Sequence, residues 1–274
     1  MKDYFTLEVA NIPVQVSCDD QMVVAALIDR YKPFLSDKKS AYSLKVNIHR
    51  SASTPTLFLL KPNFNRSGFQ VDSENYQADF NLKSGLGKIE IQSTAPEDDL
   101  EYYLRIVYSL LAFDSGGLLF HSASIIRDGK AYVFFGHSGS GKTTVSRLST
   151  DFQVMNDDLV MIKPADDHWQ VYATPFWNPT QVEPTVGDAP LEMLLRLVQD
   201  KTVFLEPLTQ GSGIAEMISS VPVINADQEK TSELLARCLQ IISTVPAYNL
   251  HFLPDASFWN AIDGIPNLEY DHGS

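Results

Sequence analysis

Cysteine is scarce in this 274-residue sequence, bases are outnumbered, and no long apolar run occurs. The two cysteines, Cys18 and Cys238, lie far apart and match no metal-ligand or redox spacing. That excludes a disulfide-stapled scaffold and suits a reducing compartment. No apolar stretch approaches the roughly 18 residues that a membrane span needs. Acids and polar groups interrupt every apolar stretch of the opening segment Met1-Lys2-Asp3-Tyr4-Phe5-Thr6-Leu7-Glu8, so no secretion signal is read there and a soluble, cytoplasmic protein is expected. Lys and Arg number 21 against 34 Asp and Glu, a net charge of −13. Tracking a phosphate backbone needs a basic face that displaces counterions, and binding anionic lipid needs the same sign. Neither nucleic acid nor membrane is therefore an expected partner.

What is present is a core-forming composition, 44% hydrophobic over a mixed alphabet, which excludes a disordered or collagen-like chain. The length suffices for one large domain or two smaller ones. The charge is unevenly placed: residues 1–112 carry 12 bases and 14 acids, a balance of −2, whereas residues 113–274 carry 9 bases and 20 acids, a balance of −11. This contrast predicts a small N-terminal α+β domain over 1–112 and an α/β domain over 113–274.

In the first half, Tyr4–Ala10 and Val14–Ser17 read as strands and Asp20–Tyr31 as a helix. Ser43–Ile48, Thr56–Leu60, Gly68–Val71, Gln77–Asn81 and Lys88–Gln92 alternate apolar and polar residues as half-buried strands do. A helix follows, with Thr94 as its expected cap, Pro96 in its first turn and Glu97, Asp98 and Asp99 complementing its dipole. Its apolar stripe, Leu100, Tyr103, Leu104, Val107, Leu110 and Leu111, ends at Asp114-Ser115-Gly116-Gly117. No chemistry is read in this half.

In the second half, Leu118–Ile126 and Ala131–Phe135 read as a hairpin, Phe152–Met155 and Leu159–Lys163 as strands, and Trp169–Ala173 as a strand after a solvated turn containing Asp166 and Asp167. Pro190–Gln199, Gly213–Ser219 and Gln228–Ser243 are helix candidates, the last burying Cys238 on its apolar face. Ala247–Phe252 reads as a strand, and Asp255 as the cap of a short helix carrying Phe258 and Trp259.

Between the hairpin and the next strand lies Gly136-His137-Ser138-Gly139-Ser140-Gly141-Lys142-Thr143, which fits G-x-x-x-x-G-K-[ST] at every fixed position. Its context fits as well, with the strand AYVFF before it and the helical TTVSRL within and after it. Glycines let consecutive backbone N–H groups turn onto phosphate oxygens. Gly136, Ser138, Gly139, Ser140, Gly141, Lys142, Thr143 and Thr144 are the expected nucleotide-binding residues, Lys142 meeting the β- and γ-phosphates and Thr143 a Mg²⁺ ion. Downstream, Asn156-Asp157-Asp158 follows the apolar segment FQVM. Nucleotide-bound Mg²⁺ needs hard carboxylate oxygens, and transfer to a hydroxyl needs a carboxylate that orients the acceptor and takes its proton. Two adjacent aspartates past a strand end can divide those roles; a plain polar turn is the alternative.

GHSGSGKTT followed closely by NDD resembles the HPr kinase/phosphorylase superfamily, whose nucleotide fold is shared with phosphoenolpyruvate carboxykinase. Leu118-Leu119-Phe120-His121-Ser122-Ala123, VYATPFW and AYNLHFLPDASFW are similar to the smaller HPr-kinase-like proteins. The resemblance covers about residues 115–260 and implies a mixed-sheet, carboxykinase-like P-loop domain. It implies ATP and Mg²⁺ as cofactors and a Ser or Thr hydroxyl of a peptide, protein or small molecule as the γ-phosphoryl acceptor. By motif position it makes Asp157 the acceptor-orienting base, gives Asp158 with Thr143 to the metal, and sets His121 near the phosphates; a core histidine is the alternative for His121. Which aspartate does which is not fixed by spacing. His137 is given no role. Thr174, Phe176 and Trp177 are candidates for the acceptor side, with plain packing as the alternative. The arginine that assists phosphorolysis in HPr kinases proper has no match: only Arg196 and Arg237 follow residue 150, both on stretches that read as helical.

The leading expectation is thus an ATP- and Mg²⁺-dependent kinase, and the alternative a non-catalytic, ATP-sensing regulatory module. No LSGGQ-like segment supports an energy-coupling ATPase. The surplus acid of the second half favours a basic acceptor, and assembly as a homo-oligomer is allowed.

Overall fold

The computed structural model describes residues 3–50, 62–65, 67–73, 76–178 and 182–265; the strand expected over Thr56–Leu60 lies outside them. The first sheet contains β1 (Tyr4–Val9), β2 (Ile12–Cys18), β3 (Tyr42–Arg50), β4 (Asn63–Asn65), β5 (Gly68–Asp72), β6 (Tyr76–Asn81) and β7 (Leu86–Ser93). Their spatial order is β1-β2-β3-β7-β6-β5-β4. Pairing is parallel at β2/β3 and β3/β7 and antiparallel elsewhere. Alternation sets the faces: in β2 the side chains of Ile12, Val14, Val16 and Cys18 are buried and those between them half-buried. Helix α1 (Gln21–Arg30) starts at Asp20, whose carboxylate accepts from the N–H groups of Met22 and Val23.

Helix α2 (Pro96–Asp114) joins the two halves. Thr94 is not its cap. Ala95 holds that position with no side-chain bond, and Pro96 at the first turn removes one of the donors a cap would serve. The helix is buried beyond the expected stripe, because Ile106, Tyr108, Ala112 and Phe113 are covered too. It packs between the sheets, against β7 on one side and against β8 (Leu118–Arg127) and β11 (Leu159–Ala165) on the other. One apolar core runs through all three layers. The buried Tyr108 hydroxyl donates to the carbonyls of Leu7 at 2.8 Å and Ile12 at 3.2 Å.

The second sheet is mixed. It adds β9 (Lys130–Phe135), β10 (Gln153–Asn156), β12 (His168–Ala173), β13 (Asp188–Gln199), β14 (Phe204–Pro207) and β15 (Ala247–Phe252). Strand β8 passes from β11 to β9 along its length, and β13 passes from β12 to β9 and β15. Pairing therefore closes on itself through β8, β11, β12, β13 and β9. The remaining helices are α3 (Lys142–Arg147), α4 (Gln210–Ser219), α5 (Thr231–Thr244) and α6 (Phe258–Asp263), so the described residues form an α/β protein with mixed sheets and six α-helices.

The segment read as a helix over Pro190–Gln199 is strand β13 instead. Its Leu, Met, Glu and Arg residues favour a helix intrinsically, but a strand flanked by β9 and β15 and covered on both faces needs a continuous apolar run. Tertiary pairing overrides propensity here. Arg196 accordingly lies on a strand and pairs with Glu216 at 2.8 Å, whereas Arg237 on α5 donates to the carbonyls of Phe113 and Gly117. Asp255 does not cap α6; it accepts from the Ser257 N–H in the preceding turn, and Ser257 occupies the cap position without a side-chain bond. Asp166 and Asp167 lie in the β11–β12 turn as expected. Both cysteines are buried, and burial pushes the Cys18 thiol up to about 11 and Cys238 up to about 12, which removes them as nucleophiles. No helix among the described residues is long and apolar enough to cross a membrane.

Candidate functional site

Strand β9 runs parallel to β13 and ends at Phe135, where the glycine-rich loop begins. The loop keeps its curvature through left-handed backbone at Gly139 (φ +80°) and Gly141 (φ +113°). At Gly141 a Cβ would also lie 2.5 Å from the Phe252 ring, so only glycine fits. Lys142 is buried, and its ammonium donates to the carbonyls of Gly136 at 2.9 Å and His137 at 3.3 Å. Burial lowers its pKa, and Asp158 opposes that effect. Gln199, at the end of β13, donates to the Gly139 carbonyl at 2.8 Å and steadies the loop tip.

Facing the loop is the turn from β10 to β11. Asn156 is buried; its amide donates to the carbonyls of Thr174 (2.9 Å) and Phe176 (3.1 Å), and its Oδ1 accepts from the N–H groups of Asp158 (2.7 Å) and Leu159 (3.2 Å). This fixes the two aspartates. Asp157 is almost fully buried, with the Thr143 side chain helping to hold its carboxyl down. Its Oδ2 accepts a long bond from the Val182 N–H at 3.4 Å, and its Oδ1 has no partner among the described residues. Burial, then the neighbouring Asp158 charge, pushes the Asp157 carboxyl above its ordinary range against the hydrogen bonds it receives. Asp158 pairs with Arg105 at 3.0 Å and lies 3.8 Å from His121 Nε2. Desolvation lowers the His121 pKa; Asp158 raises it, and Lys142 and Arg105 lower it further.

A cleft of about 420 Å³ is lined by His121, Ser138, Gly139, Gly141, Lys142, Thr143, Thr144, Asp157 and Asp158, together with Asn178 and Gln199. Nine of the residues expected from the sequence thus converge on one space. Gly136 and Ser140 belong to the loop but not to the cleft wall: Gly136 supplies a carbonyl to Lys142, and Ser140 is buried beneath the loop. His121 faces the cleft and is no core histidine, with a side chain 47% exposed. His137 is exposed, with Nδ1 2.7 Å from the Ser138 carbonyl.

The acceptor-side candidates are not in the cleft. Thr174 is buried and donates to the Leu159 carbonyl at 2.6 Å; Phe176 is buried 5.6 Å from the Tyr108 ring; the Trp177 carbonyl accepts from Arg30. The first two are core, because Asn156 draws their backbone into the interior. Among the residues not foreseen, Asn178 and Gln199 lie beyond any motif. Asn156 adjoins the aspartates at the end of an apolar strand. Arg105 comes from the half in which no chemistry was read. A signal was available for Arg105, since Glu101 and Arg105 stand at i, i+4 within the apolar stretch from Leu100 to Phe113, where a charged pair must find further partners.

Strand, glycine-rich loop, helix and facing carboxylate pair together frame the cleft of an α/β protein with mixed sheets. The chain belongs to the family of the SynChlorMet cassette protein ScmC, whose model matches residues 99–267. No curated protein matches it. Among solved structures, the Hpr(Ser) kinase/phosphatase from Coxiella burnetii is similar at 13% identity, over 33% of this chain and 70% of that one, with a TM-score of 0.27. That overlap is too slight to argue from.

Proposed function

We propose that the protein is an ATP- and Mg²⁺-dependent kinase that transfers the γ-phosphoryl group to a hydroxyl of a peptide, protein or small molecule, on a P-loop domain of the carboxykinase-like kind. The reading rests on the single cleft that brings Lys142 and Thr143 of the glycine-rich loop together with the carboxylate pair Asp157 and Asp158.

The donor set fits a hard cation. The Thr143 hydroxyl and two carboxylates offer oxygens alone, and the buried, unpartnered Asp157 Oδ1 is an acceptor that either a cation or a hydroxyl would satisfy. Thr143 and Asp158 are assigned to Mg²⁺, which when bound neutralises charge on the β- and γ-phosphates. Loop N–H groups and Lys142 hold the phosphates, and Lys142 exchanges its two carbonyl partners for phosphate oxygens. Asp157 accepts the proton of the acceptor hydroxyl through Oδ1. The acceptor oxygen then bonds to the γ-phosphorus, the β–γ bridge bond breaks, and ADP leaves. His121 stands at the cleft edge, where it hydrogen-bonds the transferring group.

The test is a pair of variants with labelled ATP and a panel of Ser and Thr peptides. Lys142→Ala is expected to lose nucleotide binding. Asp157→Asn is expected to bind ATP and transfer nothing. If wild type binds ATP but labels no acceptor, the ATP-sensing module replaces the kinase.

A further inference from the structure

An ion-pair chain runs from the first half of the molecule into the cleft. Glu101 on α2 is its hub, only 6% exposed. One of its oxygens takes Arg105 at 2.7 Å; the other takes Arg30 from α1 at 2.6 Å and the Tyr31 hydroxyl at 3.2 Å. Arg105 continues to Asp158 Oδ2 at 3.0 Å, and its guanidinium lies 5.9 Å from the centre of the Phe176 ring. Arg30 also donates to the carbonyl of Trp177, the neighbour of the cleft residue Asn178, at 2.9 Å.

We propose that Arg105 is a positioning residue for Asp158, braced by Glu101 and Arg30; this rests on the kinase reading above. A carboxylate on a turn rotates about its last bond unless something holds it. The planar guanidinium engages Glu101 and Asp158 from different nitrogens, so it fixes one Asp158 oxygen and leaves Oδ1 on the His121 side for the metal of a bound nucleotide. Burial works against the Arg105 charge, and the two carboxylates more than offset it. Without this cation the cleft would hold Asp158 beside Asp157 with no guanidinium to offset the two carboxylates, and buried Glu101 would keep only Arg30 and Tyr31. Arg105 touches neither nucleotide nor acceptor in this scheme and acts through Asp158.

The experiment is ADP binding by titration calorimetry, with and without Mg²⁺, on wild type, Arg105→Lys, Arg105→Gln, Asp158→Asn and the Arg105→Gln/Asp158→Asn double variant. Thermal unfolding checks that each is folded. The expected result is metal-free ADP affinity within about twofold of wild type in the Arg105 single variants. The affinity gained on adding Mg²⁺ falls at least tenfold in Arg105→Gln and in Asp158→Asn, and no further in the double variant. Arg105→Lys, which keeps the charge but not the fork, loses part of the gain and serves should Arg105→Gln fail to fold. A full wild-type gain in a folded Arg105 variant overturns the proposal and leaves the kinase reading intact. No ADP binding by wild type under either condition overturns both.

Discussion

Asn156 reaches from the end of β10 to the carbonyl of Thr174 at 2.9 Å and, through the same amide nitrogen, to that of Phe176 at 3.1 Å. One side chain thereby joins the aspartate turn to the segment after β12. Asn156→Leu would leave two carbonyls and two N–H groups in the interior without their partner, at a cost of about 3 kcal/mol. Unfolding in denaturant should show a lower midpoint with an unchanged slope, and ADP binding should weaken with it. An unaltered midpoint would mean that the turn holds without the amide.

The two loop glycines should respond unequally to alanine. Gly139 has open space where a Cβ would stand but a positive φ, so Gly139→Ala carries backbone strain alone, on the order of 1 kcal/mol. Gly141→Ala adds a clash with the Phe252 ring at 2.5 Å. Nucleotide affinity, measured by fluorescence titration, should fall modestly for the first and below detection for the second. Phe252→Leu in the Gly141→Ala background should recover part of the loss.

Asp157→Asn should act in opposite directions on stability and activity. The folded-state pKa of Asp157 is raised, so the folded protein holds this proton more tightly than the unfolded chain does. Its contribution to stability is present below the unfolded value and is lost as pH rises through the folded one. At neutral pH the charged form opposes folding, and the amide removes that penalty. The variant should therefore melt a few degrees higher at pH 7, by about 1 kcal/mol, with the difference shrinking at pH 4, while transfer stops. Scanning calorimetry at the two pH values checks the sign.

Acceptor choice should be charge-dependent. Residues 113–274, which include most of the cleft wall, carry a balance of −11. Peptides with Lys or Arg beside the acceptor hydroxyl should be phosphorylated with higher kcat/KM than neutral ones. That advantage should decay between about 0.05 and 0.5 M salt as the Debye length shortens. Equal rates for both peptides at low salt would remove charge as a selector.

The loop and the aspartate pair were legible because their chemistry is local: glycines at fixed spacing, a lysine and a threonine after them, acids past a strand end. Strand alternation and the helix over Asp20–Tyr31 were legible for the same reason. Strand β13 was not, since its apolar run has the helix-forming Leu and Met that a strand covered on both faces accepts equally well. Thr174 and Phe176 looked like an acceptor wall until Asn156 showed where their backbone goes. Arg105 could not be joined to Asp158, 53 positions downstream, without knowing that α2 lies on the second sheet.

The burial of α2 bears on how the chain can be divided. A cut at residue 113, where the charge changes, falls just inside the last turn of a helix whose opposite sides belong to different sheets. A fragment starting there would expose the apolar floor of the second sheet that the helix covers, and Asp158 would lose its guanidinium. Any fragment meant to keep the cleft's ion pairs intact must therefore begin upstream of Pro96 and needs a substitute for Arg30.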